Sequence, residues 1–298
     1  MTPRVAILTV TTNAAAHLPA YLGALAAISY PSWDLWVVDN ASSDGSPGLV
    51  QAAFPRANIL RNTENAGFTG ACNRALHAIL EAGSAGYILF LNDDTRVTPG
   101  FLEPLAARAA PRMLAAPMTC LDGTDGLLDD AVGSFDWWRG AWTTRTLGRA
   151  PSAQDRRPHL VDNANLSCLL VPVGLFRDVG LLDDAFFVYY DDTDLCRRAR
   201  QAGYRIFYEP ASLVWHRKGA TLGGQATPFG CYYLARNRPY LMRKHLGRGP
   251  RFWAFLAYYL PTRAVRMTVW AATGRRSLAA ATLAGLRDFA TGRLGRRR

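Results

Sequence analysis

The chain contains little cysteine and no closely spaced cysteine pair. Its five cysteines are scattered over 298 residues, and Cys-x-x-Cys does not occur. This excludes a zinc ribbon or a disulfide framework and favours a reducing compartment. The N-terminal residues also lack the long apolar core of a signal peptide. We therefore expect a protein that is made and kept in the cytoplasm.

The common glycine-rich nucleotide signatures are missing as well. Neither Gly-x-Gly-x-x-Gly nor a Walker loop occurs, so the usual NAD and ATP sites are excluded. Disorder is excluded by the 49% hydrophobic content, which is enough for a substantial core.

Acidic residues are almost absent from the end of the chain. Residues 236–298 hold 15 Lys and Arg against one acid, Asp288, a net charge of +14, whereas residues 1–235 hold 19 bases and 22 acids, a net charge of −3. Aromatic residues are interleaved with this basic segment, which suits an anionic membrane surface. Nucleic acid is the rival partner, but no reading motif is present and the segment is too apolar to follow a phosphate backbone, so we expect none.

A membrane-spanning helix is not expected in this basic segment. Arg263 and Arg266 interrupt its long apolar run, and Pro261 would kink it. We therefore predict that residues 236–298 form a basic, amphipathic, helical region that lies on the inner face of the membrane as a peripheral element.

The sequence Tyr-Ile-Leu-Phe-Leu-Asn-Asp-Asp-Thr spans residues 87–95. Its five apolar residues predict a strand buried on both faces, which delivers Asp93 and Asp94 to the carboxyl edge of a sheet. Ligands bind at that edge in open α/β sheets, and adjacent carboxylates favour a hard divalent cation. The alternative is an acidic turn that caps the next helix.

Strand and helix patterns alternate through the first half of the chain, which predicts βαβ units and a mostly parallel sheet. The expected strands are Val5–Val10, Leu35–Val38 and Asn58–Leu60, and the expected helices are His17–Ile28, Ala71–Ala82 and Pro99–Ala110. Polar loops follow the second and third strands. Asp39, Asn40 and Asp44 can accept hydrogen bonds from a base or a ribose, or can simply form a turn and a helix cap.

The loop after the third strand is rich in Asn and Gly, which lets the backbone approach a ligand closely. Asn73 and Arg74 lie in the first turn of the following helix, where they could face a diphosphate. Residues 115–160 are expected to be irregular, and their aromatic residues either stack on sugar rings or cover the core.

A second acidic cluster follows a run of bulky apolar residues. Asp191, Asp192 and Asp194 come directly after Phe186–Tyr190, and desolvation beside aromatic rings raises the pKa of a carboxylate towards that of a general base. Their helix is expected to end at Gly203. Short strands are expected at Arg205–Tyr208 and Leu213–Trp215, and the second ends in His216, a plausible metal ligand.

Six motifs in this order resemble the inverting glycosyltransferases of family 2, which have a GT-A fold, and within them the rhamnosyltransferase-like branch. The motifs, which cover residues 4–245, are Val37-Val38-Asp39-Asn40 with Asp44, Asn65-x-Gly67-Phe68 with Asn73, Leu91-Asn92-Asp93-Asp94, Phe187-x-Tyr189-x-Asp191-Asp192-x-Asp194, His216, and Arg236-Asn237. The resemblance implies a GT-A, Rossmann-like, mostly parallel α/β sheet flanked by helices, with a nucleotide-binding half in residues 1–115 and an acceptor and catalytic half in residues 116–235.

The resemblance also implies roles for individual residues. Asp94 and His216 would hold Mg²⁺ or Mn²⁺, and Asp192 would be the general base, with Asp191 standing where the family more often has Glu. The remaining residues would bind the nucleotide sugar: Thr9, Thr11, Asp39, Asn40, Asp44, Asn65, Gly67, Phe68, Asn73, Asp93 and Asp194. The Gln-x-x-Arg-Trp signature of processive synthases is absent, which favours transfer of one or a few sugars.

The sequence therefore predicts a metal-dependent inverting glycosyltransferase that uses a nucleotide sugar, with dTDP-rhamnose as the preferred donor and a lipid-linked or surface polysaccharide as the acceptor. Two alternatives remain at this stage. One is a nucleotidyltransferase, although no basic triphosphate loop follows the first strand. The other is a catalytically inactive scaffold that binds polysaccharide or membrane.

Overall fold

The computed structural model describes residues 2–143, 146–217 and 226–297. Their strands are β1 Val5–Thr11, β2 Trp33–Asp39, β3 Asn58–Arg61, β4 Tyr87–Leu91, β5 Thr95–Val97, β6 Met113–Leu121, β7 Val132–Gly133, β8 Phe135–Asp136, β9 Ala141–Trp142, β10 His159–Val161, β11 Asn163–Ala164, β12 Cys168–Pro172 and β13 Arg205–His216. Their helices are α1 Leu18–Ala26, α2 Ser46–Ala53, α3 Gly67–Ala82, α4 Leu102–Ala107, α5 Gly174–Val179, α6 Asp191–Gln201, α7 Pro228–Leu246, α8 Pro250–Ala272 and α9 Arg276–Ala290.

A nine-stranded sheet forms the centre, in the order β10-β13-β6-β12-β4-β1-β2-β3, with β5 paired to β13. Strands β1, β2, β3, β4, β6 and β13 run in one direction, and β5, β10 and β12 run in the other. The predicted mostly parallel α/β sheet is therefore confirmed. The antiparallel β12 joins the two parallel halves.

Helices cover both faces of this sheet. Side chains of α3, α5 and α6 form one core with alternate residues of the strands, and side chains of α1, α2 and α4 form the other. In β4, Ile88 and Phe90 belong to the first core while Leu89 and Leu91 belong to the second. This confirms the prediction that β4 is buried on both faces, as expected for the middle of such a sheet.

Three expectations about secondary structure need correction. Residues 115–160 are not all irregular, because β6 is a nine-residue strand of which seven are buried. The two strands expected after Gly203 are one strand, β13, with a register shift between Glu209 and Leu213, which places Pro210 in a bulge where its missing N–H breaks no ladder. The helix expected at Pro99–Ala110 is shortened to α4.

The C-terminal region is helical, as predicted, but it is built into the fold. The predicted boundary between residues 235 and 236 falls inside α7, which begins at Pro228 after an N-cap in which the Thr227 hydroxyl accepts from Gly230 N at 3.1 Å. Arg236 and Asn237 are completely buried. Helices α7, α8 and α9 pack on one another and on residues 186–190.

Within the described residues, none of the helices has both the length and the apolar character needed to cross a membrane.

Candidate active site

The parallel strands β1, β2 and β4 end side by side. Thr11 and Asp39 are register partners at the ends of β1 and β2, and Asp93 and Asp94 follow β4 directly. Asp39 is 4% exposed and its Oδ1 accepts from Ser42 N at 3.2 Å. The carboxylates predicted at the sheet edge therefore do converge there, as expected for parallel strands.

Several polar atoms at this edge are buried without a hydrogen-bond partner in the described chain. They include Thr11 Oγ1 and Asp93 Oδ2; Asp94 Oδ1 also makes no hydrogen bond there, although His216 Nε2 lies 3.3 Å from it. Burial raises the pKa of Asp93, although His17, with its Nε2 3.5 Å from Asp93 Oδ1, opposes the shift. Because unpaired buried polar atoms are rare in folded proteins, their concentration at one edge indicates a place for a polar ligand.

Asp94 and His216, the two predicted metal ligands, face each other. His216 Nε2 lies 3.3 Å from Asp94 Oδ1, and the backbone N–H of Arg217 donates to Asp94 O at 2.8 Å. The other ring nitrogen, Nδ1, lies 2.7 Å from Asp129 Oδ2. Burial alone would lower the pKa of His216, but the carboxylates of Asp129 and Asp94 outweigh it and raise the pKa to about 9.

These residues fit a hard divalent cation that shares its coordination sphere with a ligand. In the described part of the chain, no three His, Cys, Asp or Glu residues form a complete metal cage. One carboxylate oxygen and one imidazole nitrogen, the latter oriented by a second carboxylate, are the partial set used when phosphate oxygens and water complete the shell of Mg²⁺ or Mn²⁺.

The loops after β1 and β2 are bound to each other. Asp44 Oδ2 accepts from Ala15 N at 2.8 Å, while its Oδ1 accepts from Ser46 N at 3.1 Å. Asn13 Oδ1 accepts from Ser43 N at 2.8 Å. Asp44 therefore organises the loop that presents Asp39.

Asn40 and Asn65 organise the next loop in the same way. Asn40 Oδ1 accepts from Ala66 N and from Asn62 Nδ2, both at 2.9 Å, while its own Nδ2 donates to Asn65 Oδ1 at 3.0 Å. Both asparagines lie beside the predicted nucleotide site. The hydrogen bonds of their side-chain amides fix the backbone conformation of the loop there.

The N-terminus of α3 does not have the expected role. The backbone N–H groups of Phe68 and Thr69 donate to Phe187 O at 2.8 and 3.3 Å, so a protein carbonyl occupies the place proposed for a diphosphate. Gly67 has φ +75°, and a Cβ on it would lie 2.4 Å from the Phe187 ring. Gly67 and Phe68 thus dock α3 onto the segment that precedes the second acidic cluster.

Three predicted binding residues have protein partners instead. Asn73 Nδ2 donates to Leu182 O at 2.8 Å and to Asp184 Oδ1 at 2.7 Å. Thr9 is fully buried and its hydroxyl pairs with the Tyr21 hydroxyl. Asp194 is 1% exposed and binds residues of α6 and α7: Arg198 Nε, Lys244 Nζ and His245 Nε2, each at 2.8 Å.

Asn73, Thr9 and Asp194 are thus engaged within the protein, and their predicted contact with the donor stays a prediction. The carboxylate of Asp194 in particular joins α6 to α7. Burial would raise the pKa of Asp194, but His245, Arg198 and Lys244 outweigh it and lower the pKa to about 2.

Asp191 and Asp192 open α6 after a strained turn. Phe187, Tyr189 and Tyr190 have φ of 64°, 65° and 69°, a region that non-glycine residues rarely adopt. Burial raises the pKa of both carboxyl groups, and their mutual proximity adds to the shift for Asp191. Asp191 is buried and Asp192 is partly exposed.

The carboxylate of Asp192 is oriented by its neighbours. Its Oδ1 accepts from Thr193 N at 2.6 Å and from Thr193 Oγ1 at 3.1 Å, and Thr193 Oγ1 accepts from Asn163 Nδ2 at 3.1 Å. A partly exposed carboxylate with a raised pKa and a fixed orientation can accept a proton from a bound hydroxyl.

Two buried side chains of α7 hold the strained turn in place. Arg236 Nη2 donates to Ala185 O at 2.9 Å and to Phe186 O at 2.8 Å. Asn237 Nδ2 donates to Phe186 O at 2.9 Å, to Val188 O at 2.7 Å and to Tyr189 O at 3.2 Å. Residues of the C-terminal region thus fix the backbone that leads into Asp191 and Asp192.

One short segment connects the two acidic clusters. At one end, Asn92 N donates to Ser167 O at 3.0 Å beside Asp93 and Asp94; at the other, Asn163 contacts Thr193 beside Asp192. Four residue steps from Asn163 to Ser167 span at most about 14 Å. The two clusters are therefore tied to the two ends of one short segment.

Sequence analysis missed His17 and Asp129. His17 lies in the loop after β1, where its position at the sheet edge could have indicated it. Asp129 lies in the stretch assigned as irregular, and nothing in its sequence context indicates a contact with His216. The aromatic residues of that stretch mainly cover the core, since Phe135, Trp137 and Trp142 pack against α7 and α8, whereas Trp138 is exposed.

Comparison with known proteins agrees with this arrangement. Residues 6–151 match the family model "Glycosyl transferase family 2". The chain is 27% identical over 278 residues to the N-acetylglucosaminyl-diphospho-decaprenol L-rhamnosyltransferase of Mycobacterium tuberculosis, covering 85% of this chain and 89% of that protein. It is 30% identical over 136 residues to the rhamnosyltransferase WbbL of Escherichia coli, covering 44% and 52% of the two proteins.

Solved structures share the fold at lower identity. The mannosyltransferase PcManGT from Pyrobaculum calidifontis, solved with GDP-Man and Mn²⁺, superposes with a TM-score of 0.59 at 17% identity, over 97% of this chain and 88% of that chain. GalNAc-T7, solved with UDP, GalNAc and Mn²⁺, has a TM-score of 0.59 at 14% identity, over 72% and 43%.

Proposed function

Because the chain belongs to the family 2 glycosyltransferases, we propose that it transfers a sugar from a nucleotide sugar to an acceptor hydroxyl by a single inverting displacement. The observation that carries this proposal is the pair of acidic clusters joined by residues 163–167. One cluster suits a nucleoside diphosphate and the other suits an attacking hydroxyl, and a single displacement needs both on opposite sides of the sugar.

In this proposal Asp192 takes the proton of the acceptor hydroxyl while that oxygen attacks C1, and the bond from C1 to the diphosphate oxygen breaks. Thr193 keeps the Asp192 carboxylate oriented, and burial raises its pKa so that it binds the proton well. Asp191 is the more buried of the pair, and the proximity of Asp192 adds to the raised pKa of Asp191. Asp39, Thr11 and Asp93 bind the nucleotide at the sheet edge.

Asp94 and His216 would hold a divalent cation, with Asp129 orienting the imidazole. When bound, the cation supplies positive charge that stabilises the departing diphosphate. The Mn²⁺ bound by PcManGT and GalNAc-T7, which have the same fold, supports this assignment.

We propose a rhamnosyl donor, with dTDP-rhamnose first among the candidates, and a lipid-linked acceptor. The names of the mycobacterial and Escherichia coli relatives support the donor, and that of the mycobacterial relative supports the acceptor. A peripheral position at the inner face of the membrane would bring the site to such an acceptor.

The test is a thermal-shift panel of nucleoside diphosphates and nucleotide sugars with and without Mn²⁺, followed by transfer assays. We expect a metal-dependent stabilisation by dTDP-rhamnose, since a ligand that binds only the folded state raises the midpoint of unfolding. Asp192→Asn should keep that stabilisation and lose transfer. The control Asp34→Asn, a surface partner of Arg4 at the opposite edge of the sheet, should keep both.

Two outcomes would contradict the proposal. A folded protein that no nucleotide or nucleotide sugar stabilises would be a scaffold rather than a transferase. A product with retained anomeric configuration, determined by NMR, would exclude the single displacement.

A further inference from the structure

The outer face of α8 carries no charge. At 100° per residue, Trp253, Ala257, Leu260, Ala264, Val265 and Thr268 fall within one arc of roughly 140°, and every one of them is exposed. The exposed fractions reach 59% for Trp253, 46% for Leu260 and 66% for Val265. The stripe runs for about 22 Å, from Trp253 to Thr268.

The core of the protein does not account for this stripe. On the opposite side of α8, Phe252, Phe255 and Tyr259 are buried against α7, so the helix is apolar on both sides. The exposed Trp138 lies beside the stripe, because its ring is 5.1 Å from that of Tyr258, a half-buried residue at the border of the arc. A contiguous apolar surface of this kind marks an interaction site.

Charge decides between the candidate partners. The stripe is part of the segment 236–298 with its net charge of +14, and exposed arginines lie near its two ends, at positions 248 and 251 and at positions 275 and 276. The one acid of the segment, Asp288, accepts from the Tyr232 hydroxyl at 2.6 Å. Two copies of this basic surface would repel each other. A nucleic acid would gain no phosphate contacts from a face that carries no charge.

We propose that the outer face of α8, with Trp138, inserts into the surface of a bilayer that contains anionic phospholipid. The apolar side chains enter the acyl boundary and the flanking arginines bind the head groups. This deepens the acceptor part of the proposed function, because it turns the fold towards a lipid-linked substrate, but it requires no particular donor.

The test is flotation with vesicles that contain no glycan lipid, made of phosphatidylcholine alone or of phosphatidylcholine with phosphatidylglycerol. We expect the protein to float with the anionic vesicles, and less so as salt is raised. The double variant Leu260→Glu, Val265→Glu should lower partitioning by at least about tenfold. The matched control is Leu49→Glu on α2, an exposed leucine on the nucleotide-binding half of the fold.

A second measurement follows the tryptophan directly. Brominated lipid should quench tryptophan fluorescence in the wild type. The quenching should be smaller in Trp253→Phe, because that variant lacks the tryptophan that we expect to enter the lipid. Equal flotation of the double variant and the wild type would overturn the proposal, as would a wild-type dimer that the double variant converts to monomer without any change in vesicle binding.

The two proposals fail independently. The double variant should keep its stabilisation by Mn²⁺ and dTDP-rhamnose, since neither position touches the site. Loss of that stabilisation in the wild type would count against the proposed function and leave the flotation result intact.

Discussion

Asp191 and Asp192 lie where ionisation is unfavourable. Burial raises their pKa in the folded protein, whereas the unfolded chain ionises near pH 4. The folded state therefore holds more protons than the unfolded state above that pH, so the free energy of unfolding falls as pH rises towards the raised pKa. At neutral pH this contribution opposes folding.

The first prediction follows from that sign. Asp191→Asn should raise the free energy of unfolding at pH 7 by about 2 kcal/mol and leave it nearly unchanged at pH 4. Thermal unfolding across this pH range measures it. The opposite control is Asp194→Asn, which breaks a buried ion-pair network and should destabilise by about 3 to 5 kcal/mol at pH 7. If both variants lost stability at pH 7, burial would not be the cause of the raised pKa.

The second prediction concerns the carboxylate behind His216. Asp129→Asn removes the charge that fixes the imidazole, so nucleotide binding supported by Mn²⁺ should weaken by about 10- to 100-fold. Isothermal titration with dTDP in the presence and absence of Mn²⁺ measures the loss. Asp122→Asn is the matched control, since among the described residues the carboxylate of Asp122 pairs with exposed Arg96. Equal weakening without metal would assign Asp129 to the fold instead.

At the scale of elements, the site depends on the contacts that α3 and α7 make with residues 185–190. The third prediction concerns α3. Gly67→Ala should destabilise by about 1 to 3 kcal/mol or more, because Gly67 has a positive φ and the new Cβ would overlap the Phe187 ring and carbonyl. Denaturant unfolding measures it.

Gly48→Ala in α2 is the control for Gly67. A Cβ on Gly48 would meet no atom within 4 Å, and the φ of Gly48 is not positive. The free energy of unfolding of this variant should therefore rise by about 0.5 to 1 kcal/mol. Similar effects of the two substitutions would show that the Gly67 contact does not hold the turn.

The fourth prediction concerns α7. Asn237→Ala removes the donor of three hydrogen bonds to the backbone before Asp191. We expect kcat to fall by at least about tenfold while the KM for donor changes little, because a displaced base slows the proton transfer but leaves the sheet edge intact. Steady-state kinetics measure both constants. A loss of thermal stability with unchanged kcat would limit Asn237 to a structural role.

At the scale of the whole molecule, the basic helices pack on the rest of the described fold through buried polar contacts. Arg236 and Asn237 are completely buried between them, and Asp194 of α6 binds Lys244 and His245 of α7. The outer face of α8 therefore belongs to a helix that packs on α7, which in turn binds the turn leading into Asp191 and Asp192.

The fifth prediction is a single cooperative unfolding transition in scanning calorimetry, because these buried polar contacts cannot be opened in one part alone. A chain truncated after residue 226 should fail to show a cooperative transition. Two separate transitions in the full chain, or a stable truncated sheet, would show that the C-terminal helices are an independent domain.

The sequence by itself determined the features that depend on local pattern. Apolar runs such as Tyr87–Leu91 specify buried strands, and the alternation with helices specifies a parallel sheet whose carboxyl ends meet at one edge. That is why the convergence of Asp39, Asp93 and Asp94 was predictable. It is also why His216, at the end of a strand, could be predicted to lie beside Asp94.

Only the tertiary structure decided which polar side chains bind distant parts of the protein. Asn73 and Asp194 have the same local context as binding residues, yet they pair with groups 109 and 51 positions away in the chain. Pattern also located an apolar, basic C-terminal segment but not which face of α8 packs inward, because this helix is apolar on both sides. Packing against α7 buries one side and leaves the other exposed.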